Sequence, residues 1–212
     1  MSSGDGAAVM RRKVRELPPP IRSAEALAAG KRALLARLTP GADTWVFGYG
    51  SLMWDPGFVH EAAHQALLHG YHRALCITSH RHRGTAKRPG LVLGLDRGGS
   101  CRGIAYRIAG ARAAQTLGYL WDREMVTGVY LPRRVEVRLP AGRVGCWTFV
   151  ADRGHVQYAG GLGPAAQVGL ILQGHGESGR CRDYLANTVR HLDRLGIADG
   201  PLHRLLALVE AA

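Results

Sequence analysis

Trp45-Val46-Phe47-Gly48-Tyr49-Gly50-Ser51-Leu52 is the stretch on which the reading of this chain turns. Trp45 to Phe47 make a short apolar run of the kind that forms a buried strand, and the run breaks into two glycines flanking a tyrosine. Glycine at the end of a strand opens backbone conformations closed to other residues and lets a ligand approach the N–H groups. Successive free amides in such a turn form a concave anion-binding nest, to which Ser51 adds a hydroxyl. A plain strand followed by a tight turn fits the same residues.

On the N-terminal side, residues 1–22 read as a mobile arm, with Pro18-Pro19-Pro20 as a stiff extended spacer. Ser23 is placed to cap a helix carrying Leu27, Leu34, Leu35 and Leu38 on its apolar side, and Pro40-Gly41 stops it. Residues 1–40 are therefore expected to be arm and short helix, and 41–212 the main domain. On the C-terminal side, Asp55-Pro56-Gly57 is a second turn signal, residues 73–78 are strand-like, and 81–90 read as an exposed basic loop. Residues 91–95 and 103–108 are expected to pair as a hairpin around Asp96-Arg97-Gly98-Gly99-Ser100. Residues 110–125 are rich in helix formers, with Ala113, Ala114, Leu117 and Leu120 at helical spacing. Strands follow at 130–139 and 145–150, then helices at 165–173, 180–195 and 201–212. Strands with one inserted helix, followed by a run of helices, argue an α+β fold rather than alternating βαβ units.

Composition narrows the functional classes. A chain of 212 residues can bury one sizeable core, and 46% apolar with 21% charged residues is ordinary for a globular protein. The net charge of +12, from 28 Lys and Arg against 16 Asp and Glu, suits an anionic partner. The basic residues are scattered, dense only at Arg11-Arg12-Lys13 and His80-Arg81-His82-Arg83, and no basic stripe is interleaved with aromatics, so nucleic acid is not the expected partner. Cys76, Cys101, Cys146 and Cys181 lie far apart without a Cys-x-x-Cys pair, which favours reduced, buried thiols. There is no apolar run of signal-peptide or membrane-spanning length, and a soluble cytoplasmic protein is expected.

Three further stretches carry chemistry-bearing residues. His60-Glu61-Ala62-Ala63-His64 matches the zinc-protease pattern, in which two histidines one helical turn apart bind zinc and the glutamate acts as base. It follows a Pro-Gly turn and leads into strand-like sequence, where that pattern lacks the helix it needs. Glu124 closes the inserted helix between Trp121 and Met125; an apolar lining would raise its pKa into the range of a group that is base and acid in turn. A salt bridge with Arg123 or Arg133 is the competing reading. In Gly174-His175-Gly176-Glu177-Ser178-Gly179 the backbone amides could face an anion at the start of the next helix, which bears Tyr184; an ordinary glycine-rich cap fits equally.

Taken in order, these stretches resemble the γ-glutamylcyclotransferase superfamily, whose signature residues 46–52 match. Pro89-Gly90-Leu91-Val92-Leu93-Gly94-Leu95, Gly103-Ile104-Ala105-Tyr106-Arg107, Tyr119-Leu120-x-x-Arg123-Glu124 and Gly176-x-Ser178-Gly179 with Asp183-Tyr184-Leu185 narrow the likeness to its ChaC branch, the glutathione-specific γ-glutamylcyclotransferases. The resemblance implies an α+β single domain, a small mixed β-barrel flanked by helices, with no cofactor and no metal. It implies cyclisation of the γ-glutamyl group of glutathione to 5-oxoproline with release of cysteinylglycine, or of other γ-glutamyl amines in the same pocket. By motif position Glu124 is the catalytic glutamate, Val46, Phe47, Gly48, Tyr49, Gly50 and Ser51 hold the γ-glutamyl group, and Tyr184 approaches the ligand. A zinc hydrolase acting through His60, Glu61 and His64 is the alternative of another class.

Overall fold

The computed structural model describes residues 21–212. The basic cluster at Arg11-Arg12-Lys13, the spacer Pro18-Pro19-Pro20 and nearly all of the expected arm lie outside the described residues. The described residues divide into two compact units, one of Ile21–Arg73 with Gly94–Asp152, the other of Ala74–Leu93 with Arg153–Ala212. The class is α+β, with five strands closing a barrel in the order β1-β3-β2-β4-β5. No helix among the described residues is long and apolar enough to cross a membrane.

In the first unit, β1 (Thr44–Gly48) is paired on both edges: antiparallel to β3 (Gly90–Ile108), from Thr44↔Ile108 to Gly48↔Ile104, and parallel to β5 (Gly142–Ala151) at Trp45↔Cys146 and Val46↔Trp147. That mixed pairing explains why the strand is an apolar run rather than an alternating one; Val46 and Phe47 are sealed at 0% and 1% exposure. β4 (Tyr130–Leu139) runs back along β5 through a two-residue turn, Pro140-Ala141, in register from Tyr130↔Ala151 to Leu139↔Gly142.

Two expectations are corrected here. The residues read as a hairpin at 91–108 form one continuous strand of 19 residues, β3, and β2 (Ala62–Ser79) is a strand of 18 residues where only 73–78 looked strand-like. Gly98 and Gly99 have φ of +99° and +68°, so the glycine pair bends a strand that goes on instead of reversing it. The early part of β2 gives little strand signal because only Ala66 and Leu68 are buried there, flanked by exposed Gln65 and His69.

α1 (Ala24–Leu35) is capped by Ser23, whose Oγ accepts from the Ala26 N–H at 3.2 Å. α2 (Gly110–Glu124) has no cap on its own N-terminal residue; instead Asp43, just before β1, accepts from the Gly110 N–H at 3.0 Å and pairs with Arg107 at 3.0 Å. α1 packs on α2: Lys31 pairs with Asp122 at 2.5 Å, and Gly30 leaves the space that the indole of Trp121 fills. The Arg22 N–H, at the end of the expected arm, donates to the Val126 carbonyl at 3.1 Å.

The close approach at Gly30 sets two effects against each other. Alanine is the better helix former by about 1 kcal/mol. A Cβ there would collide with the six-membered ring of Trp121, which is 4% exposed, and overpacking of that kind costs about 1–3 kcal/mol. Gly30→Ala is therefore expected to lower the urea midpoint despite its helix propensity; a higher midpoint would show that the indole can give way.

In the second unit, the end of β2 is held by Gln157, whose carbonyl accepts from the Thr78 N–H at 2.8 Å, and by a bridge of Ile77 with Tyr158. α3 (Pro164–Gln173) starts on a proline suited to the first turn of a helix. A two-residue hairpin, β6 (His175–Gly176) with β7 (Gly179–Arg180), leads into α4 (Cys181–Arg194), and α5 (Gly200–Glu210) is capped by Asp199. All four cysteines are buried thiols; Cys181 donates to the Leu91 carbonyl at 3.1 Å and burial pushes its pKa up to about 11.

Candidate active site

The turn after β1 is fixed by residues far from it in sequence. Gly50 opens a single 3-10 turn, Ser51–Met53, in which the Gly50 carbonyl accepts from Met53 N–H at 2.9 Å and that of Ser51 from Trp54 and Asp55 N–H at 3.1 and 2.8 Å. The Tyr49 hydroxyl donates to the Phe149 carbonyl at 2.9 Å, so its ring is an anchor on β5. The Tyr106 hydroxyl donates to the carbonyls of Leu52 and Met53 at 2.8 and 3.2 Å, and burial raises its pKa to about 12. Arg73, 3% exposed on β2, donates through Nε to the Tyr49 carbonyl and through Nη2 to the Arg102 carbonyl at 2.5 Å.

With the carbonyls consumed in this way, the N–H groups are left over. Among the described residues no acceptor takes the N–H of Gly50, Ser51 or Leu52. Gly50 has φ −130°, so its value lies in its bare backbone and not in a left-handed conformation. Val46 and Phe47 deliver this turn from the barrel wall with their side chains sealed in the core.

Glu124 is the last residue of α2, where the helix yields to Met125 and the Gly128 turn. Trp121, three residues before it, and Met125, directly after it, are 4% and 1% exposed, and 21% of the Glu124 side chain is open. Desolvation raises its pKa above the ordinary glutamate value, against the opposing pull of Arg123, whose Nε lies 3.2 Å from its Oε1. The C-terminal end of a helix is also a poor place for an anion. Arg123 reaches the turn as well: Nη2 donates to Ser51 Oγ at 2.8 Å and Nη1 to the Asp55 carbonyl at 3.3 Å. One side chain thus joins the carboxyl to the motif at residues 46–52. Tyr106 and Arg123 stand in the quoted motifs without the roles the structure gives them; Arg73 is outside every motif, its one signal being an arginine in phase with Leu75 and Ile77 on an apolar strand.

Tyr184 lies in the second unit, in the first turn of α4. Its hydroxyl oxygen accepts from the Leu93 N–H at 3.4 Å, and the Arg83 guanidinium lies 5.0 Å from its ring centre. In the glycine-rich stretch before it, three amides are already committed to carbonyls. The N–H groups of Glu177, Ser178 and Cys181 donate to the carbonyls of Arg81, His82 and Gly174, at 2.9 Å each.

The zinc pattern at His60, Glu61 and His64 also fails on geometry. His60 precedes β2 and packs edge-on against Tyr106, with ring centres 4.8 Å apart, while His64 sits within β2 against Trp45 at 6.1 Å. The helix that would put both histidines on one face is not there. Among the described residues no group of three His, Cys, Asp or Glu side chains is placed to hold a metal ion. Dialysis against a chelator is expected to leave turnover unchanged, measured before and after addition of zinc.

A family model described as ChaC-like protein matches residues 44–212, and this chain belongs to that family. It is similar to the glutathione-specific γ-glutamylcyclotransferase of Escherichia coli (strain K12), 38% identical over 189 residues, 89% of this chain and 82% of that protein. Glutathione-specific γ-glutamylcyclotransferase 1 of Homo sapiens is 33% identical over 79% of this chain and 77% of its own. The crystal structure of a yeast γ-glutamyl cyclotransferase specific to glutathione superimposes with a TM-score of 0.72 over 80% of this chain and 96% of that one; at 23% identity this likeness concerns the fold.

Proposed function

We propose that this chain cyclises the γ-glutamyl group of glutathione, releasing 5-oxoproline and cysteinylglycine, with Glu124 as the single general acid and base. The observation that carries the reading is the linkage of a desolvated carboxyl, through Arg123, to a turn with three uncommitted N–H groups. The α-amine of the substrate attacks its own γ-carbonyl carbon and forms the lactam C–N bond. Glu124 takes the proton released by that nitrogen, then gives it to the cysteinyl nitrogen as the old amide C–N bond breaks. The carbonyl oxygen, negative in between, needs preorganised donors, and the free amides of Gly50, Ser51 and Leu52 are of the right kind. Both reacting groups belong to one molecule, so the protein has only to hold the folded-back conformer. The net charge of +12 favours approach of the anionic peptide.

The names of the relatives at 38% and 33% identity support the substrate. The test is release of 5-oxoproline from glutathione, with γ-glutamyl dipeptides lacking the glycine as comparison. Preference for glutathione is the expected result. Turnover of dipeptides alone would move the substrate to another γ-glutamyl amine, and no 5-oxoproline from any of them would end the reading.

A further inference from the structure

We propose that Arg123 is a positioning residue for this reaction, its guanidinium fixing the Glu124 carboxyl relative to the Gly50-Ser51 turn. The inference rests on the cyclotransferase reading and adds the element that holds its two halves in register. Four contacts leave the one planar group: Nε to Glu124 Oε1 at 3.2 Å, Nη2 to Ser51 Oγ at 2.8 Å, and Nη1 to the Asp55 carbonyl and the Tyr119 hydroxyl at 3.3 Å each. Neighbouring side chains on a helix do not normally face each other, so α2 alone does not bring residues 123 and 124 together. Their pairing comes from both reaching the same place beyond the helix end.

The pair is also more covered than the other ion pairs among the described residues. Its side chains are 25% and 21% exposed, whereas those of Lys31–Asp122, Arg81–Glu177, Arg107–Asp43, Arg143–Glu136 and His203–Asp193 range from 34% to 71%. Exposed pairs of that kind add little to stability. A covered one fixes geometry, and only a guanidinium has donors spread widely enough to serve carboxylate, hydroxyl and carbonyl at once. Among the described residues Arg123 is the charged group that acts on Glu124; Asp55 presents its backbone carbonyl, and the Tyr119 hydroxyl lies on the far arm of the fork.

The test is the pH profile of kcat/KM for 5-oxoproline release by wild type, Arg123→Met and Arg123→Lys. Arg123→Met is expected to lose about 100-fold at neutral pH, the scale of misplacement by an ångström. Its acid limb moves to higher pH, because the cation that holds the Glu124 pKa down is gone. Arg123→Lys keeps the charge and restores the limb but not the rate. Arg123→Met with a wild-type limb and rate overturns the proposal. Should Arg123→Met not fold, Ser51→Ala takes its place: it removes the 2.8 Å arm and keeps the charge, so kcat falls with the limb unmoved, and wild-type kcat and KM overturn the proposal. Loss of the parent reading is recognised separately: wild type then releases no 5-oxoproline, or Glu124→Gln is as active as wild type, and the proposal falls with it.

Discussion

Replacement of Glu124 by glutamine is expected to leave a folded protein that releases 5-oxoproline from glutathione about 10²–10⁴-fold more slowly, the contribution of a positioned proton-transfer group. The amide has the shape of the carboxyl, and its oxygen can still accept from Arg123, so the fork to Ser51 and Asp55 survives. What it cannot do is take a proton from one nitrogen and return it to another. The same substitution tests the cost of the site. Glu124 binds its proton more tightly in the folded state than in the unfolded one, because burial raises its pKa. Between the ordinary glutamate value and the raised one the folded state holds more protons, and stability falls as pH rises through that window. Below the window the cost is absent, and above it the cost is fully present. Glutamine escapes it at every pH, so Glu124→Gln should be at least as stable as wild type near neutrality, by urea unfolding at matched pH. An inactive but unfolded variant would say nothing for Glu124; a folded one retaining most of its turnover would remove it from the mechanism.

Much of the frame was legible because its signals are local. The cap at Ser23, the proline opening α3 and the apolar phase of α2 act over one or two turns, and those elements lie within a few residues of their expected ends. β3 departs from its expectation for the same reason. Asp96-Arg97-Gly98-Gly99-Ser100 has the chemistry of a reversal, and only the neighbouring barrel strands decide that its left-handed glycines bend a strand instead. Ala114, at helical spacing with the core positions, is exposed because the buried stripe passes through Ala113, Thr116, Leu117 and Leu120. The site divides in the same way. Glu124 and the Gly-Tyr-Gly-Ser turn could be picked out by residue type and order. The contacts that hold them could not, since Arg73 meets Tyr49 across 24 residues, Tyr106 meets Leu52 across 54, and Arg123 meets Ser51 across 72.

Arg73 is where that hidden support is most exposed to test. Arg73→Met is expected to destabilise the protein by about 3–5 kcal/mol: the buried carbonyl of Tyr49 and the part-buried carbonyl of Arg102 each lose a charged donor, at about 1–3 kcal/mol apiece, and repacking around a differently shaped side chain adds the rest. Lysine is not a remedy. Its ammonium is a point donor and cannot bond both carbonyls in the geometry of the fork, so Arg73→Lys should recover only part of the loss. The functional consequence runs through the backbone. The Tyr49 carbonyl and the Gly50 N–H belong to one peptide plane, and with that plane released the N–H of Gly50 need no longer point at the proposed oxyanion. The residual folded protein should therefore show a kcat reduced about 100-fold, as expected for donors misplaced by about an ångström, with Glu124 and its pH limb intact. Urea midpoints and the pH profile of kcat measure the two parts independently. A stable Arg73→Met with normal kcat would mean that Tyr49 and Tyr106 hold the turn without it.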